Sequence, residues 1–277
     1  MRLICLGFGY SAREFVRRHR SRFTGIAATY RDDNGLWAAR AMRCTPVALT
    51  PERSGLRDAL RASDVILLSA APDAAGDPFI ADLGALGADL AGKHLLYLST
   101  VGVYGDHHGA WVDESTPLKP NSRRSLWRAA AEQAWLSLGT EHGGAVQIFR
   151  LAGIYGPGQN AFENLKNGAA KRLIKPCQLF NRIHVTDSAA TLDAALDKGR
   201  PGAIWNVTDN EPAPPQDVVT HAATLMGVAP PPEIPFDPAT LSPMAASFYG
   251  ENKRVSNRRL REELGVTLAY TTYREGL

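Results

Sequence analysis

The sequence is poor in cysteine: three in 277 residues, none in a C-x-x-C pair. That excludes a disulfide framework and a thiolate metal cage. Cys5, Cys44 and Cys177 are widely spaced, a sparse and odd set that suits a reducing, cytoplasmic setting. No apolar run approaches the roughly 18 residues that span a bilayer, so no membrane association is expected. The opening MRLICLGFGYS reaches a glycine turn too soon for a signal peptide. Charge of one sign is also lacking. Thirty-one basic residues face 28 acidic ones, a net of +3, which is too balanced to point to nucleic acid. The basic cluster RRHRSR at 17–22 is the solvated end of a helix. There is no internal repeat and no low-complexity tract.

The composition is that of an ordinary globular protein, 44% hydrophobic and 21% charged, long enough for one large domain or two intimate ones. The first half alternates between two textures. RLICLG, GIAATYR, TPVAL, DVILLSAA, HLLYLST and AVQIFRL are short apolar runs that predict strands. Between them lie helical patterns such as SAREFVRRHRSRF and FIADLGALGADLAG. The strand runs are continuously apolar, as expected of parallel strands covered on both faces. This predicts an α/β fold, a Rossmann-type doubly wound parallel sheet with a smaller C-terminal substrate lobe. The expected dinucleotide-binding domain is 1–157, with 182–209 returning to it. The substrate lobe is then 158–181 and 210–277. In that lobe FENLKNGAAKRL predicts a helix, and IHVTDSAATLDAAL predicts a strand end and a helix capped by Thr186 or Asp187.

GFGYSA at 7–12 follows the first strand and opens the first helix. It fits G-x-G-x-x-A. Gly7 permits the tight turn, Gly9 lets backbone approach a pyrophosphate, and Ala12 allows close helix–strand packing. The helix N-terminus offers free N–H groups to the phosphates. The second strand ends ATYRDD. Arg31, ahead of Asp32, favours the 2′-phosphate of NADP, with NAD as the alternative.

From YLSTVGVYGDHHGAWVDESTPLKP onward the chain resembles the extended short-chain dehydrogenase/reductase family, the NAD-dependent epimerases and dehydratases of nucleotide sugars. STVGVYG, DESTPLKP, FRLAGIYGPGQN, RIHVTDSAATLDAAL and IWNVTD match its motifs in order. The resemblance implies a small-molecule substrate such as a nucleotide sugar, and a homodimer. It places Thr100 beside the reacting oxygen. It also implies a tyrosine general acid or base on the next helix and a lysine four residues on. In RRSLWRAAAE, Glu132 sets the register, and the two positions hold Arg124 and Arg128. No tyrosine lies between Tyr104 and Tyr155. Arg128 can take over the lysine's contact with the ribose. Arg124 stays protonated and cannot cycle a proton, but it can bind an anionic substrate group. The choice is between an enzyme with an altered site and a dinucleotide-binding redox sensor or regulatory protein without turnover. The expected catalytic set is Thr100, Arg128 and Arg124. The expected cofactor set is Gly7, Phe8, Gly9, Tyr10, Ser11, Ala12 and Arg31, with Ser69, Ala70, Ala71 and Ser99 at the fourth and fifth strand ends. Tyr104, Tyr155, Asn160 and Phe162 are expected to line the substrate. No metal is expected, since DHHG at 106–109 with Asp113 fits no ligand spacing.

Overall fold

The computed structural model describes residues 1–277, the side chain of Ser54 apart. In chain order its strands are β1 (Arg2–Leu6), β2 (Gly25–Tyr30), β3 (Thr45–Ala48), β4 (Val65–Leu68), β5 (His94–Thr100), β6 (Trp111–Val112), β7 (Ala145–Leu151), β8 (Gly153–Tyr155), β9 (Arg172–Ile174), β10 (Arg182–His184), β11 (Ile204–Val207), β12 (Glu233–Pro235) and β13 (Arg254–Val255). Its helices are α1 (Tyr10–His19), α2 (Asp33–Ala41), α3 (Ser54–Arg61), α4 (Ile80–Gly84), α5 (Arg123–His142), α6 (Ala161–Lys166), α7 (Val185–Lys198), α8 (Pro215–Met226), α9 (Pro243–Tyr249), α10 (Arg258–Glu262) and α11 (Tyr273–Gly276).

Seven strands form one parallel sheet in the order β11-β7-β5-β4-β1-β2-β3. The order reverses between β1 and β4, where doubly wound sheets open a crevice at the carboxyl ends of their strands. Side-chain alternation sorts each apolar run onto two faces. Leu3 and Cys5, Val65 and Leu67, and Leu96 and Leu98 join Phe15, Val16 and Leu192 on one face. Ile4 and Leu6, Ile66 and Leu68, and Leu95 and Tyr97 join Leu56, Leu60, Leu83 and Trp135 on the other. Both faces are covered, which accounts for the predominantly apolar runs; the polar exceptions, such as Gln147 and Arg150 on β7, are buried too.

Outside the main sheet lie three two-stranded parallel pairs, β10-β8, β12-β9 and β13-β6, each joining segments separated in sequence. Two predicted helices are shorter than expected. FIADLGALGADLAG breaks after α4, its glycines being poor helix formers. FENLKNGAAKRL ends at Lys166, because Gly168 turns left-handed (φ +66°) and Arg172–Ile174 is a strand. The cap of α7 also differs. His184 Nδ1 accepts from the Thr186 N–H, while the Asp187 carboxylate accepts from the N–H groups of Ala269 and Tyr270. Among the described residues no helix is long and apolar enough to cross a membrane.

Candidate functional site

The glycine turn separates two demands. Gly7 has φ +88°, and a Cβ there would lie 2.9 Å from the Ala70 nitrogen. Its N–H donates to Thr29 Oγ1 at 2.8 Å, and its carbonyl accepts from Ser69 Oγ at 2.7 Å. The fold itself therefore requires glycine at position 7. Gly9 differs. Its backbone is extended (φ −83°), and a Cβ there would meet nothing within 4 Å. The space beside Gly9 is open, which suits a ligand approaching the backbone. Gly9 is the N-cap of α1, with no side-chain cap bond and no acidic residue in the first turn. The positive end of the helix is thus left for an anion. Ala12 is fully buried where α1 meets the sheet.

A groove of about 250 Å³ runs from this turn. Gly9, Tyr10, Ser11, Ala12, Ser69, Ser99, Thr100 and Arg128 line it, with Leu98, Leu151, Ala152 and Ile154. The Tyr10 hydroxyl donates to the Pro157 carbonyl at 3.1 Å, tying α1 to the segment after β8. The groove opens into a cleft of about 1050 Å³, and Thr100, Arg128, Ala152 and Ile154 line both. Arg124, Tyr155, Asn160 and Ala71 line the cleft alone. The groove thus joins the glycine turn to a cleft large enough for a small polar ligand.

Helix α5 carries the altered positions. Ser122 and Ser125 form a capping box at its start. Arg124, Arg128 and Glu132 follow at four-residue spacing, one stripe climbing from core to cleft. Glu132 is fully buried, Arg128 is half-buried and Arg124 is exposed. Glu132 pairs with Arg150 at 2.8 Å and accepts a hydrogen bond from Ser99, locking α5 onto β5 and β7. Arg128 Nη1 donates to the Leu98 carbonyl at 2.8 Å and to the Tyr97 hydroxyl at 3.2 Å. Thr100 Oγ1 accepts from the Gly102 N–H at 3.1 Å, which leaves its own O–H to donate.

Some expected site residues lie elsewhere. Tyr104 does not line the cleft. It is 0% exposed, donates to Asn206 Oδ1 at 2.8 Å and accepts from Arg150 at 3.0 Å. Burial pushes its hydroxyl up to about 12. Phe162 is also absent from the cleft wall, to which Ala161, Glu163 and Asn164 of α6 and Asn167 just beyond it contribute. The Phe8 side chain is buried beneath Arg13, whose Nε donates to the Phe8 carbonyl. Tyr155 reaches the cleft, but its hydroxyl donates to the Thr272 carbonyl at 3.3 Å, and burial holds its pKa well above the usual tyrosine range. Asn160 caps α6 by accepting from the Glu163 N–H. Ala70 closes on Gly7. Arg31 is exposed at the end of β2, without a hydrogen-bond partner among the described residues. Asp32 turns back to cap α2, accepting from the Gly35 N–H at 2.8 Å. No cluster of three or more candidate metal ligands occurs among the described residues.

Arg150 was not singled out in the sequence, although it is the arginine of the R-x-x-x-x-Y-G segment. Asp209 was also missed. It is 2% exposed, its Oδ2 lacks a partner among the described residues, and burial pushes its carboxyl up to about 7.

Comparison with known proteins gives a consistent picture. The profile of the NAD dependent epimerase/dehydratase family matches residues 83–208. Protein YeeZ of Escherichia coli K12 is 30% identical over 223 residues, 77% of this chain and 74% of YeeZ. A conserved protein of unknown function from Silicibacter pomeroyi DSS has a solved structure that superposes with a TM-score of 0.90. It is 46% identical, over 99% of this chain and 96% of that one. The dTDP-glucose 4,6-dehydratase of Bacillus anthracis, solved with NAD, shares the fold at a TM-score of 0.79. That likeness covers 100% of this chain and 94% of the dehydratase, at 21% identity. The chain spans 58% and 36% of the length of two further curated relatives that it matches.

Proposed function

The chain belongs to the NAD dependent epimerase/dehydratase family, within the extended short-chain dehydrogenases/reductases, and on that premise we propose that it is a nicotinamide-dinucleotide-dependent oxidoreductase or epimerase with an altered proton-handling site. Its substrate is a small polar metabolite, a nucleotide sugar or a similar polyhydroxylated compound. One observation carries this reading: the groove at the glycine turn and the large cleft meet at Thr100 and Arg128.

The groove fits the cofactor. Gly9 leaves the room, the α1 terminus supplies free N–H groups, and Arg128 lines the groove with donors that would hold a ribose hydroxyl. A bound nicotinamide supplies or accepts the hydride, the step that the protein cannot perform itself. Thr100 donates its O–H to the reacting oxygen. Arg128, fixed through Nη1 to β5, orients the ribose with its remaining N–H groups. Arg124 adds charge to the cleft but exchanges no proton near neutrality. NADP is the preferred cofactor of this reading, supported by the free guanidinium of Arg31 and by the Asp32 carboxylate being taken as a cap. The dinucleotide lobe is placed at 1–157 with 182–209, and the substrate lobe at 158–181 and 210–277. The three free cysteines suit a cytoplasmic setting, and exposed Leu126 on α5 suits a homodimer.

A second reading, a redox sensor that binds the dinucleotide without turnover, is favoured by the absence of any titratable side chain at position 124. Titration with NADPH and NADH, followed by nicotinamide absorbance with a panel of nucleotide sugars, separates the two. Turnover that Thr100→Ala abolishes supports the enzyme. Tight binding without turnover on any substrate supports the sensor, and absence of binding refutes both.

A further inference from the structure

The cleft carries unmatched positive charge at its reacting end. Arg124 and Arg128 both line it, one helical turn apart on α5. Two side-chain carboxylates line the same cleft, and both are already engaged. Glu251 pairs with Lys253 at 2.6 Å, and Glu163 with Lys166 at 3.2 Å. Arg182 also reaches the cleft, but it is committed to the carbonyls of Phe180 at 2.9 Å and Ala213 at 3.1 Å. Arg124 therefore faces the cleft without a hydrogen-bond or ion-pair partner among the described residues. Arg128 spends only Nη1 on β5, and its three remaining N–H groups, one on Nε and two on Nη2, suffice for a ribose hydroxyl and an anion together. Like charges four residues apart on a helix repel, and a bound anion relieves that repulsion. A guanidinium fork matches the paired oxygens of a planar oxyanion.

The lining of α6 and the turn before it is of a different kind. Gln159, Asn164 and Asn167 carry primary amides that face the cleft, with no side-chain hydrogen bond among the described residues. Each amide offers donors and an acceptor together, the complement of neighbouring hydroxyl groups. Thr100 and Arg128 belong to both groove and cleft, so the anion site lies beside the reacting oxygen rather than at the far end of the ligand.

Resting on the function proposed above, we propose that the substrate is a polyhydroxylated carboxylate. Its carboxylate neighbours the reacting carbon and is held by Arg124 and Arg128, and its hydroxyls are read by Gln159, Asn164 and Asn167.

The test is calorimetric titration of the full chain, saturated with NADPH, with D-gluconate, D-sorbitol, lactate and UDP-glucose. Gluconate is expected to bind about tenfold or more tighter than sorbitol, its neutral counterpart. The preference should shrink as salt rises. Arg124→Ala, a change at an exposed side chain, removes the preference, and Arg124→Lys keeps part of it. Asn164→Ala weakens gluconate more than lactate. Equal binding of gluconate and sorbitol overturns the proposal. So does a complex that ignores gluconate, or a preference that survives Arg124→Ala. Tight binding of UDP-glucose indifferent to Arg124 overturns it in favour of a diphosphate-led site. Failure of both NADPH and NADH to bind refutes the underlying function instead. It is seen before any gluconate is added, and gluconate titrated into the free protein then still reads the subsite.

Discussion

Replacing Glu132 by alanine should cost more stability than any change at the exposed arginines of the same helix. Arg150 is 3% exposed, and its guanidinium makes three contacts to Glu132, from Nε at 3.2 Å to each oxygen and from Nη2 at 2.8 Å. Only Nη1 has another partner, the Tyr104 hydroxyl at 3.0 Å. Removing the carboxylate strands a buried cation and frees the Ser99 hydroxyl. Breaking a buried pair in this way costs about 3–5 kcal/mol, part of a total of about 5–15 kcal/mol for a typical fold. At about 2–4 °C per kcal/mol for a large domain, Tm should fall by roughly 6–20 °C. Urea and thermal unfolding followed by circular dichroism measure both. The double variant Glu132→Leu with Arg150→Met removes both charges and should recover most of the loss. A loss below about 1 kcal/mol in the single variant would refute the reasoning, because the pair would then not fix α5. A double variant as unstable as the two single losses added together would refute it too.

Arg31→Ala should weaken NADPH and leave NADH nearly unchanged in fluorescence titrations, and equal weakening of both would remove the NADP preference. Thr100→Ala should lower turnover by about a hundredfold or more by losing the donor to the reacting oxygen. The lost cap on the Gly102 N–H should cost only about 1 kcal/mol, so the variant stays folded. Asp209 should make stability depend on pH. Its carboxyl titrates near about 7 in the folded chain and near about 4 when unfolded, so between these values the folded state holds the extra proton. Its contribution is therefore complete below about pH 4 and declines as pH rises through about 7. Urea unfolding at several pH values should show this decline in the native chain and its loss in Asp209→Asn. An identical slope in both would assign the pH dependence to other groups.

The parallel sheet was legible in the sequence because strands covered on both faces are apolar at most successive positions. Ile4 and Leu6 face one core while Leu3 and Cys5 face the other. The glycine turn was legible too, since its G-x-G-x-x-A spacing is complete within six residues, although the contacts that demand Gly7 come from Thr29, Ser69 and Ala70. What escaped depends on partners far away in sequence. Tyr104 stands in a turn that looks exposed, yet its hydroxyl is taken by Asn206 and Arg150, on strands 102 and 46 residues later. Asp187 looks like a helix cap but serves backbone 82 and 83 residues on. Phe162 misses the cleft because the phase of α6 is set by its start at Ala161, capped by Asn160. The pairs β13-β6 and β12-β9 contain only two or three residues per strand, too few to show a period.

Gly9→Val tests most directly whether the turn at 7–12 holds a dinucleotide. The fold has room for a side chain at that position, so the variant should lose no more than about 1 kcal/mol of stability. Fluorescence titration with NADPH should saturate for the native chain and fail for the folded variant, because the added side chain fills the space reserved for the pyrophosphate. Undiminished binding by Gly9→Val, or no saturable binding of either NADPH or NADH by the native chain, would contradict a cofactor seated at this turn.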